Sequence, residues 1–306
     1  MTKPGHEASP CGRECGWHKS SEDDVLDAGT ELYLDLLKRC LMNSIYSNYE
    51  VRDFVPSKNY KRLFYDFLLK PLFRRSAARV VTAYDYDDQK RLNGTDWSPM
   101  AHTMIGKHRL DNLQHCIQHV LENKIPGDFI ETGVWRGGAT IFMRAMLMAY
   151  GETSRKVWVA DSFEGLPAPD EKTYPKDMGD QHHTHSELAI SMETVQDNFR
   201  KYGLLDDQVC FLKGWFKDTL PAAAIEQLAI LRLDGDMYES TMDGLRNLYH
   251  KLLPGGFLIV DDYGAVPACR EAVLDFRSEH KINDEIIRID WGGVYWQKSA
   301  SPVLGQ

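Results

Sequence analysis

Ile230-Leu-Arg-Leu-Asp-Gly-Asp-Met-Tyr-Glu239 is an apolar run that breaks into acid. Asp234 closes the run and Asp236 follows one residue later. The run predicts a buried strand, with Asp-Gly-Asp where the strand gives way to a loop. Further on, Phe257-Leu-Ile-Val260 repeats the pattern and ends in Asp261-Asp262. If the two strands are parallel neighbours, both acid pairs lie on the carboxyl edge of one sheet, where open α/β sheets bind ligands. Four carboxylates gathered there repel one another unless a cation sits among them.

Strand and helix signals alternate around these two segments. Strands are expected at 129–132, 157–160 and 209–212, and helices at 109–123, 139–150, 187–202, 240–251 and 267–280. Residues 286–289, the turn Trp291-Gly-Gly293 and 294–297 read as a closing hairpin. The alternation implies an α/β fold: a doubly wound, mostly parallel, seven-stranded Rossmann-like sheet with an antiparallel C-terminal hairpin. Ahead of it, 31–46 is an amphipathic helix with Tyr33, Leu36, Leu37, Cys40, Leu41 and Ile45 on one stripe. A second helical pattern runs over 60–69 and is interrupted by Pro71. Residues 82–100 read as a polar, mobile loop. Three parts follow: a disordered tail over 1–27, an N-terminal helical and lid region over 28–108, and a main domain over 109–306.

The net charge of −9 comes without a dense Lys/Arg tract. That argues against nucleic acid or an anionic membrane surface as partner. No apolar run approaches the roughly 18 residues of a spanning helix, and the first 25 residues lack the apolar core of a signal peptide. Six scattered cysteines suit a reducing cytoplasm. Cys11, Cys15 and His18 form a C-x3-C-x2-H with no adjacent fourth ligand for zinc.

After the first expected strand comes Glu131-Thr-Gly-Val-Trp-Arg-Gly-Gly138. Its glycines are spaced more loosely than the G-x-G-x-x-G that grips a pyrophosphate. Glu131 inside the strand end repels a phosphate and favours a cationic ligand. S-adenosylmethionine fits, having a sulfonium, an ammonium and no phosphate. The second strand ends in Asp161-Ser-Phe-Glu164, where an acid accepts both ribose hydroxyls. The plainer reading is that Gly137-Gly138 lets helix and strand pack closely and that Asp161 is a loop residue.

Six stretches carry a resemblance: Thr103-Met-Ile-Gly106, Glu131 to Gly138, Asp161-Ser-Phe-Glu-Gly-Leu-Pro167, Lys213-Gly-Trp-Phe216, Leu233-Asp-Gly-Asp-Met-Tyr238 and Val260-Asp-Asp-Tyr-Gly264. With them, residues 100–298 resemble the macrocin O-methyltransferase (TylF-type) family. Those are Mg²⁺- and S-adenosylmethionine-dependent enzymes with the class I methyltransferase fold, which methylate sugar hydroxyls on antibiotics such as macrolides and aminocoumarins. The resemblance implies cofactor contacts at Thr103, Met104, Glu131, Thr132, Gly133, Asp161, Ser162 and Gly214, and metal ligands at Asp234, Asp261 and Asp262. It implies a small-molecule acceptor, a glycoside or polyol hydroxyl. A homo-oligomer is also expected.

Methyl transfer from a sulfonium is an in-line displacement whose leaving group is already good. The enzyme has to orient the partners and supply a deprotonated oxygen. Only carboxylates stand at Asp234, Asp261 and Asp262, and hard oxygen ligands favour Mg²⁺ over zinc. Asp236 is placed to take the hydroxyl proton. His182, His183 and His185 follow Asp180 in the long crossover 164–186, which reads as a lid, and His182 is an alternative base. Other classes also use D-x-D. A phosphatase would carry it on the first strand, and a glycosyltransferase would not require Glu131 and Asp161 at the first two strand ends. Among methyltransferases, a catechol or phenol acceptor is the rival, because two neighbouring hydroxyls chelate a metal in either case.

Overall fold

The structure, a computed structural model, describes residues 28–47, 50–54, 56, 59–76 and 78–300. The expected tail 1–27, with Cys11, Cys15 and His18, lies outside the described residues. Helix α1 (Ala28–Leu41) comes first. Strands β1 (Val51–Asp53) and β2 (Val81–Ala83) pair around α2 (Asn59–Phe64) and α3 (Lys70–Arg75). Helices α4 (Asp88–Asn93) and α5 (Lys107–Glu122) lead to the main sheet. There β3 (Asp128–Thr132), α6 (Gly138–Ala149), β4 (Val157–Asp161), α7 (Met192–Lys201), β5 (Val209–Lys213), α8 (Phe216–Thr219), β6 (Leu228–Leu233), α9 (Tyr238–Leu248), β7 (Leu252–Val260) and α10 (Pro267–Glu279) alternate. Strands β8 (Ile287–Arg288) and β9 (Val294–Gln297) end the chain.

The strand order is β5-β4-β3-β6-β7-β9-β8, seven strands as expected, with β9 antiparallel to both its neighbours. The chain winds outward from β3 to β5, then returns to β6 on the other side of β3. That reversal opens a crevice at the carboxyl ends of β3 and β6, the usual ligand position in such sheets. Alternate strand residues feed opposite cores. Phe129, Val159, Ile230 and Phe257 pack toward α1, α5, α6 and α7, whereas Ile130, Ala160, Leu231 and Leu258 pack toward α9 and α10.

Three N-terminal expectations fail. The helix expected over 31–46 ends at Leu41, and Tyr33, Leu36 and Ile45 of its expected stripe are exposed while Leu34, Leu37 and Leu41 are buried. Pro71 does not interrupt its helix. The backbone widens to a π turn over Tyr65–Leu69, with the Lys70 N–H donating to the Tyr65 carbonyl, and α3 continues through the proline. A turn of that width relieves the proline's missing donor and its clash one turn back. The stretch 82–100 is not a loop either, since it contains α4 and the buried residues Arg91, Asp96 and Ser98. Arg91 donates to both Glu50 oxygens, at 2.9 and 3.0 Å, and to both Asp96 oxygens, at 3.1 Å to Oδ1 and 2.9 Å to Oδ2. A polar sequence is thus buried because its charges pair completely. The helix expected over 187–202 begins at Met192, where the Ser191 side chain accepts from the Thr194 N–H.

Candidate active site

Strand register brings the site together. Thr132 is level with Ala160 and Leu233, and Leu233 is level with Val260. Gly133, Asp161, Asp234 and Asp261 therefore leave the sheet side by side. Gly133 has φ +85°, and a Cβ there would meet the Asp234 carbonyl oxygen at 1.7 Å, so only glycine fits at this crossing. Three non-glycine residues on the edge loops also hold left-handed backbone: Trp135, Phe163 and Asp236, with φ of 48°, 59° and 58°. Such conformations cost roughly 1–3 kcal/mol each and gather at functional sites.

Two cavities adjoin along this edge. The smaller, about 140 Å³, lies over β3, β4 and β5 and is lined by Met104, Gly133, Trp135, Asp161, Ser162 and Gly214. Asp161 is ringed by donors. Its carboxylate accepts from the Val134 N–H at 2.8 Å and the Phe163 N–H at 2.7 Å, while the Gly214 N–H donates to its backbone carbonyl at 2.9 Å. Burial raises the Asp161 carboxyl, and these donors oppose the rise. Ser162 donates to the Gly165 carbonyl at 2.6 Å and shapes the loop.

The larger cavity, about 610 Å³, shares Met104, Trp135, Asp234 and Asp236 with the first and is also lined by Thr103, Arg109, Glu131, Asp177, His182, Asp261 and Asp262. Asp234, Asp261 and Asp262 each offer an oxygen within 4.8 Å of the others. Arg232, 1% exposed, lies beneath them. It donates to Asp234 at 2.7 Å and makes close ion pairs with Glu131 and Asp261. Arg109 pairs with the other Asp261 oxygen and, at 2.8 Å, with Asp290. Asp290 in turn accepts from the Gly292 and Gly293 N–H groups and fixes the closing hairpin turn. Six carboxylates, Asp236 and Asp262 included, thus face two guanidiniums.

The protonation behaviour reflects that excess. Burial and then Asp261 push Asp234 up to about 7, against Arg232. Burial pushes Asp236 up to about 6, with His182 pulling it back. Asp262 is raised further by burial and by Asp236, Asp234 and Asp261. Burial carries Glu131 to about 8 despite Arg232, and its Oε2 has no partner among the described residues. A hard dication fits three crowded oxygen ligands with unneutralised charge.

The crossover 164–186 is pinned rather than free. Asp177 is buried and accepts from the Tyr238 N–H at 2.6 Å and the Glu239 N–H at 3.0 Å, capping α9 just past the acid loop. Lys176 reaches Glu271 and Asp275 on α10, at 3.0 and 2.7 Å. His182 donates to or accepts from Asp180 at 2.6 Å through Nδ1. Burial lowers its affinity for a proton, but Asp236 and Asp180 outweigh burial and raise it. His185 instead packs edge-on against Trp97, and His183 is exposed and is not among the residues lining the larger cavity.

A family model described as macrocin-O-methyltransferase (TylF) matches residues 30–298. The chain belongs to the TylF macrocin O-methyltransferase family. A tetracenomycin-pathway rhamnosyl 4'-O-methyltransferase of Streptomyces olivaceus is 49% identical over 89% of this chain and 94% of its own. Mycinamicin III 3''-O-methyltransferase of Micromonospora griseorubida is 48% identical over 89% and 98%. The solved O-methyltransferase NovP aligns with TM-score 0.76 at 45% identity, over 89% of this chain and 100% of its own. The phosphatase and glycosyltransferase readings therefore give way to an O-methyltransferase.

On this TylF-family frame, Met104, Gly133, Asp161, Ser162 and Gly214 meet at the smaller cavity, and Thr103 and Glu131 at the larger. Thr132 lines neither. It is buried, and its carbonyl accepts from the Asp234 N–H at 2.9 Å. Sequence reasoning passed over Arg232, Arg109 and Asp177. Arg232 left a signal, because an arginine inside an apolar strand needs buried acids as partners. Arg109 and Asp177 left none, since each looks like one more polar residue on a helix or loop.

Proposed function

We propose that this chain is a cytoplasmic, Mg²⁺-dependent O-methyltransferase that uses S-adenosylmethionine to methylate a sugar hydroxyl of a glycosylated secondary metabolite. The observation that carries the reading is the carboxylate triad Asp234, Asp261 and Asp262, set in a cavity that opens into a second one at Asp161. Residues 109–306 are read as the transferase domain and 28–108 as its covering region, in an enzyme that works as a homo-oligomer. The names of the relatives support a sugar acceptor over a catechol, the second reading.

S-Adenosylmethionine supplies an activated methyl group. The smaller cavity suits its adenosyl end: Asp161 and Ser162 would hold the ribose, Gly133 and Gly214 would allow close backbone approach, and Met104 would line the side shared with the larger cavity, where Thr103 lies. Glu131 and Thr132 support that loop from below. The chemistry that a bound Mg²⁺ supplies is Lewis acidity, which makes the acceptor hydroxyl more acidic and fixes its oxygen. Asp234, Asp261 and Asp262 would hold it, positioned by Arg232 and, at Asp261, by Arg109. Asp236 takes the hydroxyl proton, and its elevated proton affinity suits a base working near neutral pH. His182 stands beside Asp236 and is the alternative base. The walls of the larger cavity orient the acceptor, and orientation alone supplies roughly 7–11 kcal/mol.

The test is transfer of labelled methyl to a panel of glycosides and catechols, with Mg²⁺ or with EDTA. Methylation of a glycoside only with Mg²⁺ is the expected result. Preferential labelling of catechols would overturn the acceptor class, and full turnover in EDTA would overturn the metal.

A further inference from the structure

A methyl group that passes from a donor in the smaller cavity to an acceptor in the larger one crosses where the two cavities meet. Five residues line both: Met104, Trp135, Leu188, Asp234 and Asp236. Asp234 belongs to the carboxylate triad, and Asp236 is the proposed base. Trp135 serves neither task, yet it is the bulkiest side chain at the junction. Its backbone is left-handed, with φ 48°, a conformation that costs energy and is kept at functional sites. The indole is clamped from two directions. Its Nε1–H donates to the Glu187 carbonyl at 2.9 Å. The Arg136 guanidinium lies over the ring, 4.1 Å from its centroid. Arg136 is itself fixed by the carbonyls of Ser98, Pro99 and Ala101, at 3.4, 3.0 and 2.7 Å.

The ring is only half-buried, and what Arg136 leaves uncovered lines the two cavities. Tryptophan is the aromatic side chain that attracts a cation best. S-Adenosylmethionine, the donor in the function proposed above, carries a positive charge on the reacting sulfur. Its product, S-adenosylhomocysteine, keeps the adenosyl and amino-acid parts, but its sulfur is neutral. Met104 and Leu188 have no charge or ring with which to tell the two apart. Given that donor, we propose that Trp135 reads the charge on the sulfur. The indole holds the sulfonium at the junction and loses that attraction once the methyl has left, so product gives way to fresh donor. Asp234 and Asp236 also favour a cation, and the share of the indole is what a substitution at Trp135 removes.

Calorimetry on the full-length protein in saturating Mg²⁺ tests this with three ligands: S-adenosylmethionine, S-adenosylhomocysteine and sinefungin, which carries a charged amine in place of the sulfonium. The wild type is expected to prefer both cations to S-adenosylhomocysteine. Trp135→Leu should shrink that preference roughly 5-fold or more, with S-adenosylhomocysteine affinity nearly unchanged. Trp135→Phe keeps a ring with a weaker face and should fall between the two, which keeps the test decisive if the leucine variant folds poorly. Equal weakening of all three ligands would make Trp135 a plain wall of the site. An unchanged preference in both variants would leave the charge to the acids alone. Either result overturns the proposal, as does a wild type that binds donor and product equally. A wild type that binds none of the three overturns the donor assignment itself and this proposal with it.

Discussion

Asp161 and Asp234 end neighbouring strand systems at one sheet edge, yet they live in different electrostatic surroundings. Asp161 is met by backbone N–H groups from its own and the adjacent loop, so its charge is accommodated by the fold. Asp234 is met by Asp261, Asp262 and Asp236, with Arg232 as its direct counter-charge. Hydrogen-bond donors can settle one carboxylate but not a crowd of them. The comparison separates two surroundings: a pre-satisfied acid shapes a polar receptor, and an under-neutralised cluster has the chemistry that suits a cation. The loop holding Asp236 in left-handed backbone stands between the two.

The sharpest way to break the comparison is to remove the cation. EDTA should abolish turnover, and Asp262→Ala should lower it on the order of 10³-fold, matching several kcal/mol of charge stabilisation. Mg²⁺ titration by calorimetry should show lost metal binding with cofactor affinity preserved. An Asp262→Ala enzyme that still binds Mg²⁺ normally would place the ion elsewhere. Asp236→Asn, nearly isosteric, should keep both binding events and reduce kcat by about 10²–10⁴. Normal kcat in that variant would shift the base to His182, to be checked with His182→Gln.

The opposite acid predicts the opposite pattern. Asp161→Asn turns an amide N–H₂ toward backbone donors, so it should cost about 1–3 kcal/mol in both stability and cofactor affinity. Mg²⁺ binding should be untouched, and a selective loss of Mg²⁺ affinity would erase the distinction. Asp177→Ala removes a helix cap and should cost ~0.5–2 kcal/mol in thermal unfolding, with faster hydrogen exchange over 164–186. Unchanged exchange there would mean that the cap does not hold the crossover.

The smallest effect is in pH. Without metal, Asp234 at about 7 and Asp236 at about 6 keep protons in the folded state that unfolded carboxylates, near about 4, have lost. The folded state then binds more protons, so this contribution is full at acid pH and fades as pH climbs toward 7. His102, lowered to about 4 by burial and by Lys201 and Arg136, acts oppositely, adding stability as pH rises from about 4 to about 6.5. Saturating Mg²⁺ should remove the acid-cluster slope and leave that of His102. Melting curves from pH 4 to 8 with Mg²⁺ or EDTA should therefore diverge by a few degrees toward neutral pH, at roughly 2–4 °C per kcal/mol. Parallel curves would count against a metal at the cluster.

The sequence by itself determined the sheet, its alternation and the gathering of acids, because strand and helix periods and the residues that end them are local properties. Asp234, Asp236, Asp261 and Asp262 could be placed on one edge from two apolar runs alone. Local pattern carries no partner identities, and there tertiary structure decided. Arg232 hid in an apolar run, although three strand ends supply its counter-charges. The stretch 82–100 looked like a loop because it is polar, and only Glu50, distant in sequence, lets Arg91 be buried. Pro71 looked like a stop, and only the π turn ahead of it carries the helix through. For both arginines the deciding term is the desolvation of a polar group, whose sign depends on what stands opposite it in space, and for Pro71 it is the backbone hydrogen-bond geometry one turn back.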